Sequence, residues 1–310
     1  MNTHTHHTHD HHHHGHGHHH APRTSAFVVG ITLNCVFVLA EIVYGIKANS
    51  LALLADAGHN TGDVLALAMT WVATLLAKRK ASERFTYGLQ SASILAALAN
   101  SLILMLAIGG ISWEALQRFG SPETPMGTTV MIVAGVGVAV NGLSAWLFHD
   151  SGHHDINIRG AFLHMLMDAA ISLGVVISGA LILQTGWLWI DPLMSLLIVS
   201  VIIASTWRLL KHSVSLALHA VPAAIDAAKV KAFLAGCKGV KEVHDLHIWA
   251  MSTTEVALSA HLIMPEGHPG DAFIHELTHE LEELFHISHA TLQIEMGDVD
   301  DACHSGCDLA

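Results

Sequence analysis

Three short stretches of this chain carry residue types and spacings that can hold a metal ion. "LLADAGHNTGDVLALAM" places His59 four residues before Asp63, and "IRGAFLHMLMDAAISLG" places His164 four residues before Asp168. On a helix, residues four apart share one face. If two such faces meet, two imidazoles and two carboxylates surround one point, a nitrogen and oxygen set suited to tetrahedral Zn2+. The alternative is that each pair is a hydrogen-bonded contact within its own helix, with no metal. The third stretch, "HELTH", spells H-E-x-x-H with His275, Glu276 and His279, the helix signature of zinc proteases.

The elements that must position the first two stretches are membrane helices. Of the 310 residues, 52% are hydrophobic and only 13% charged, against roughly 25% charged in an ordinary soluble domain. The apolar residues fall in six runs, about 26–46, 51–77, 91–116, 128–148, 158–184 and 187–208. Each is long enough to cross a hydrocarbon core of about 30 Å as a helix. The first run follows a polar tail and lacks a small-residue cleavage site, unlike a signal peptide. Lys78, Arg79, Lys80 and Arg84 crowd the connection after the second run, and Arg208 and Lys211 follow the sixth. Basic connections stay on the cytoplasmic side, so both termini are expected there. An ionisable residue inside a span costs on the order of 2.5–3.5 kcal/mol, which makes both His-x-x-x-Asp pairs functional candidates, placed near mid-membrane where carriers keep their substrate sites. Glu41 and Asp56 are expected either along an outward water path or at the headgroup level.

Beyond the sixth run the composition changes. From residue 213 onward the chain has fifteen Asp or Glu and four Lys. Such an acidic part excludes nucleic acid as a partner and suits cations. "PAAIDAAKVKAFLAG" runs from proline to glycine as a helix, "VKEVHDLHIWAM" and "TEVALSAHLIM" are strands around the turn "STT", and "HATLQIEM" is a third strand. Between them "DAFIHELTHELEELF" is a helix with Asp271 as its N-cap and Phe273, Leu277, Leu281, Leu284 and Phe285 along its apolar face. The order αββαβ predicts a small α+β domain. HELTH then lies on the flank of that helix, and no H-x-x-G-x-x-H continuation supplies a third ligand after His279.

"NSLALLADAGHNTGD", the second His-x-x-x-Asp and "VHDLHIW", in this order, resemble the cation diffusion facilitators, in their zinc-transporting branch; the resemblance covers about residues 25–296. It implies an α-helical membrane protein with six transmembrane helices and a C-terminal cytoplasmic domain of metallochaperone-like αββαβ fold. It also implies a homodimer that moves Zn2+ out of the cytoplasm in exchange for H+. The transport site would be His59, Asp63, His164 and Asp168, where a histidine at the first position goes with preference for zinc over cadmium. His244 and His261 fall where the family places zinc ligands of the cytoplasmic domain, and Glu295 is the third ligand expected on the last strand. Cys303 and Cys307 in "DDACHSGCDLA" are candidates by similarity to animal vesicular zinc carriers, whose cysteines are more closely spaced. The third span of the family commonly opens with charges that pin the dimer, whereas "YGLQSASILAAL" has none.

The domains expected are a disordered histidine-rich cytoplasmic tail over 1–24, the transmembrane domain over 25–212, the αββαβ domain over 213–296 and an acidic, cysteine-containing tail over 297–310. The first tail holds twelve of the 28 histidines and is suited to capturing zinc weakly at the cytoplasmic mouth. "FHDSGHHD", with His149, His153 and His154, is either a second capture point or a solvated loop. The function expected is Zn2+ efflux from a bacterial inner membrane by proton-coupled antiport, carried out by a transporter and not an enzyme. The alternatives are a membrane-anchored zinc sensor and, on HELTH, a metalloprotease.

Overall fold

A computed structural model describes residues 24–121, 123–149 and 156–297. The histidine-rich tail, His153, His154, Cys303 and Cys307 lie outside the described residues. Six long helices come first: α1 (Thr24–Lys47), α2 (Leu51–Ala77), α3 (Ala92–Gly120), α4 (Gly127–His149), α5 (Ile156–Thr185) and α6 (Ile190–Ala217). All of α2 to α6 are long and apolar enough to cross a membrane. The 24 residues of α1 rise about 36 Å, also enough to span. The sixth helix continues to Ala217, past the expected end near 208.

Small residues let these helices close on one another. A Cβ added at Gly179 of α5 would stand 2.9 Å from Met131 Cγ of α4, and one at Gly137 of α4 would stand 3.0 Å from Ser172 Oγ of α5. The apolar core joins Leu53 and Ala55 of α2 to Ile108 of α3, Val130 of α4, Val175 of α5 and Ile202 of α6. At the end remote from the C-terminal domain the α1–α2 corner is tied down by polar contacts. Ser50 caps α2 by accepting from the Leu53 N–H, and the buried Asp191 of α6 accepts from the Ser50 hydroxyl and from the Leu51 N–H at 2.7 Å. Arg118 of α3 donates to both the backbone carbonyl and the side chain of Asn49.

The C-terminal domain has the order α7 (Ala227–Ala235), β1 (Glu242–Ala250), β2 (Val256–Ile263), α8 (Asp271–Phe285) and β3 (His289–Glu295). In the sheet β2 is central, antiparallel to β1 and parallel to β3. The first helix begins at the N-cap Asp226, which accepts from the Ala228 and Lys229 N–H groups, and not at the preceding proline. The second is capped by Gly270, at φ 94°, so Asp271 is its first residue and not its cap. Val230 and Leu234 of α7 and Leu277 and Leu281 of α8 bury against Ile248, Leu258 and Leu262 of the sheet. Leu284, expected on the same face, is instead exposed. Phe285, one residue on, makes the apolar contact of this last turn, against Phe233 of α7.

The α2–α3 connection meets the β1–β2 turn through neutral groups. Ser91 Oγ donates to the Met251 carbonyl at 3.1 Å, Ser93 Oγ accepts from the Thr253 N–H at 3.1 Å, and Tyr87 packs edge-on to His289. Hydrogen bonds and a ring contact stand here, in a segment whose sequence has no charge at the start of α3.

Candidate metal centres

His59 and Asp63 sit one turn apart on α2, and His164 and Asp168 one turn apart on α5. The two helices run antiparallel in the membrane order, so the first member of each pair faces the second member of the other. His59 Nε2 is 3.1 Å from Asp168 Oδ1, and His164 Nε2 is 3.1 Å from Asp63 Oδ2. Within α5 itself the His164 to Asp168 separation is the longer 3.7 Å. The imidazole rings stand edge-on with centroids 6.0 Å apart. One ligand atom from each of His59, Asp63 and Asp168 fits within a 4.8 Å cluster, and His164 reaches both carboxylates from its flank. The alternative of two separate same-helix contacts does not describe this ring, whose shorter bonds all cross between helices.

The dimensions suit a tetrahedral cation. With Zn–N and Zn–O bonds of about 2.0–2.1 Å, adjacent ligand atoms of a tetrahedron stand roughly 3.3 Å apart. The two crossed contacts are already close to that spacing, and His164, which stands outside the three-residue group of His59, Asp63 and Asp168, must move in to complete four ligands. Exposure is unequal along the ring. The side chains of His59 and Asp168 are 15% and 7% exposed, those of His164 and Asp63 50% and 34%. Asp63 lies toward the Ala77 end of α2 and His164 toward the Ile156 end of α5, the side that carries the C-terminal domain. The two members of the ring nearer that domain are the exposed ones, and the two nearer the other end are the buried ones.

Glu41 and Asp56 are enclosed between the helices, beyond His59 and Asp168 from the C-terminal domain. Both are completely buried. Asn60 donates to Glu41 Oε2 at 2.9 Å, and Ser172 donates to Asp56 Oδ2 at 2.8 Å.

The second cluster forms on the sheet. His244 of β1 and His261 of β2 are direct cross-strand partners, with ring centroids 5.1 Å apart. Glu295 of β3 closes the group: Oε2 is 2.9 Å from His244 Nε2 and Oε1 is 2.8 Å from His261 Nδ1. Gln293, on the same face of β3, donates to Glu295 Oε1 at 2.8 Å. Burial alone would raise the Glu295 carboxyl, but hydrogen bonds from His244 and Gln293 and the charges of both histidines outweigh it and hold the group below the ordinary glutamate value.

Asp245 belongs to this cluster and was not among the residues singled out by type. Its carboxylate lies 3.4 Å from His261 Nε2 and 2.9 Å from His247 Nε2. Regular alternation would point Asp245 away from His244. A bulge between His244 and His247, with Asp245 at φ 50°, turns it back. The signal was present as a phase slip: the buried residues of β1 are Val243, then Leu246, Ile248 and Ala250, so the alternation changes parity at Asp245.

HELTH assembles nothing comparable among the described residues. His275, Glu276 and His279 are exposed on α8, and His279 pairs with Glu283 of its own helix at 3.7 Å.

A six-helix membrane bundle with a cation-sized His/Asp ring in it, followed by a small α+β domain with its own histidine and carboxylate cluster, defines a class of membrane proteins that handle divalent metal cations. Residues 27–216 match the cation efflux transmembrane domain, and residues 222–296 match the cytoplasmic domain of cation efflux proteins. The chain belongs to the cation efflux, or cation diffusion facilitator, family and is a multi-pass integral membrane protein that exports metal cations. It is 36% identical to the zinc transporter ZitB of Escherichia coli over 88% of this chain and 87% of that protein. It is 34% identical to the metal cation efflux system protein CzcD of Cupriavidus metallidurans, over 88% and 87% of the two chains. A cadmium, cobalt and zinc/H(+)-K(+) antiporter of Bacillus subtilis is 33% identical, over 84% of this chain and 85% of its own.

Proposed function

We propose that this chain exports Zn2+ from the cytoplasm in exchange for H+, by alternating access around His59, Asp63, His164 and Asp168. The observation that carries this reading is the crossed pairing of each histidine with the carboxylate of the other helix at 3.1 Å. The donor set favours zinc, in keeping with relatives named as a zinc transporter and as a cadmium, cobalt and zinc/H(+)-K(+) antiporter. Zinc binds neutral imidazole and ionised carboxylate, so it competes with protons for the same atoms. Histidine titrates near pH 6.5 when unperturbed, and a modest proton gradient therefore shifts occupancy. A ring open toward the C-terminal domain loads zinc from that side and releases its protons there. The opposite conformation then discharges zinc and takes up protons from the far side.

In this reading the protein is a secondary active transporter, a homodimer through its cytoplasmic domain, in a bacterial inner membrane with both termini cytoplasmic. Residues 25–212 carry the cation, 213–296 bind regulatory zinc at His244, His261 and Glu295 with Asp245 orienting His261, and the tails 1–24 and 297–310 capture metal. The test is zinc uptake into proteoliposomes under an imposed proton gradient. Wild-type protein is expected to accumulate zinc, and Asp63→Ala to fall to background. Unchanged flux in Asp63→Ala overturns the site, and zinc binding without flux in the wild type identifies a sensor.

A further inference from the structure

The metal ring leaves a second pair of acids unused. The carboxyls of Glu41 on α1 and Asp56 on α2 are buried neighbours: Asn60, which hydrogen-bonds Glu41, lies four residues from Asp56 on the same face of α2. Each has one oxygen served by a neutral donor, Asn60 for Glu41 and Ser172 for Asp56. The remaining oxygens, Glu41 Oε1 and Asp56 Oδ1, are buried with no donor. Two neighbouring acceptors satisfy each other only when a proton lies between them, and two carboxyls so placed in a water-poor site do not both ionise.

Among the described residues, the titratable groups acting on the pair are His59 from α2 and Asp168 from α5. Of the other helices packed on α2, α3 brings Arg118, which is bound to Asn49, Glu114 and Glu123, and α6 brings Asp191, which is bound to Ser50 and Leu51. From α4, packed on α1, residues 127–146 contribute no charged or titratable side chain. Lys47, near the end of α1, is exposed and lies over Tyr44.

The position of the pair relative to the ring gives it a direction. Asp56 precedes His59 on α2, Ser172 follows Asp168 on α5, and Glu41 lies in the last third of α1. All three are displaced from the ring toward the end remote from the C-terminal domain, opposite to the exposed Asp63 and His164. The pair thus stands beyond the buried half of the ring.

We propose that Glu41 and Asp56 form a proton site separate from the metal ligands, which receives one proton from the far side and gives it up when the ring loads zinc. This rests on the zinc/proton reading above. A divalent charge between His59 and Asp168 lies about one helical turn from the pair and favours its ionised form, and by reciprocity the proton weakens zinc binding. As zinc enters, the Glu41 O–H bond breaks, its electron pair stays on the carboxylate, and the proton goes to a water molecule admitted past Asp63 and His164 ahead of the ion, which leaves by the same side as hydronium. After zinc departs on the far side, water there returns a proton to the pair. The pair holds the co-ion in the half of the path that the metal ligands leave closed.

The experiment uses the full chain in proteoliposomes, with zinc/zinc exchange at equal pH measured beside zinc uptake driven by a pH gradient. Glu41→Gln is expected to retain exchange while gradient-driven uptake falls at least about tenfold, within the range of ordinary coupling. Retained gradient-driven uptake overturns the proposal, and so does loss of both activities, which assigns the pair a structural role. Infrared difference spectra of the wild type provide a measurement independent of how well the variant folds: zinc should abolish the carbonyl stretch of a protonated carboxyl, and Asp56→Asn should remove that change. A wild-type spectrum without this band overturns the proposal, as does an unaltered band in Asp56→Asn. Failure of the underlying reading looks different, because the wild type itself then shows no gradient-driven zinc uptake.

Discussion

His59 and Asp168 meet at 3.1 Å across 109 residues of sequence, whereas His59 and Asp63, four residues apart, serve different partners. The His/Asp ring is thus held by contacts between α2 and α5, and any movement that separates these helices opens it.

The crossed pairing predicts a specific rescue. His59→Asp sets two carboxylates face to face, and their repulsion should lower zinc affinity, read by isothermal titration. Adding Asp168→His restores the imidazole and carboxylate in exchanged order and should recover most of the loss, a coupling of about 0.5–3 kcal/mol. If Asp63→His rescues His59→Asp better than Asp168→His does, the pairing is within the helix and the crossed assignment is wrong.

Asp245 should act on metal binding through His261. A carboxylate that holds the outer nitrogen of a ligand histidine typically contributes about 10–100-fold to affinity. Asn tolerates the left-handed backbone that Asp245 occupies at φ 50°, so Asp245→Asn is expected to fold normally and bind zinc in the cytoplasmic domain about 10–100-fold more weakly. Unchanged affinity at the His244, His261 and Glu295 cluster removes Asp245 from the site.

Glu295 ties the stability of the C-terminal domain to acid pH. Its carboxyl is held below the ordinary value in the folded chain, so the folded state binds its proton less readily than the unfolded state does. The stabilisation is complete above the unfolded glutamate value of about 4.3 and disappears as pH falls through the lower folded value. Acid unfolding of metal-free protein should accordingly be shallower in Glu295→Gln over that window. Superimposable acid transitions in the two proteins contradict the coupling.

Asp191 fastens the N-terminus of α2 to α6. Asp191→Ala leaves the Ser50 hydroxyl and Leu51 N–H without their acceptor and should cost about 3 kcal/mol, because hydrogen bonds to buried charges are among the stronger ones. Ser50→Ala should cost about 1 kcal/mol as a lost helix cap. Thermal unfolding in detergent checks the order, and equal stability of both variants refutes it.

On α8, Glu276→Ala should leave zinc flux unchanged and stability within about 0.5 kcal/mol, as for an exposed side chain outside any site. A large loss of flux would return HELTH to consideration as a metal site.

Much of this protein was written in local patterns. Apolar runs long enough to span a bilayer identified the helices, because a lipid-facing backbone must satisfy its hydrogen bonds within the segment. Spacing of four put each histidine on the face of its aspartate, and the β-type alternation of the last hundred residues gave the αββαβ order. Tertiary structure alone decided which partner each residue took. Antiparallel packing crossed the His/Asp pairs between α2 and α5, a bulge brought Asp245 back to His261, and helix closure sealed Glu41 against Asp56. Spacing along one element fixes which side chains share its face; the facing element, its direction and its register fix what they meet.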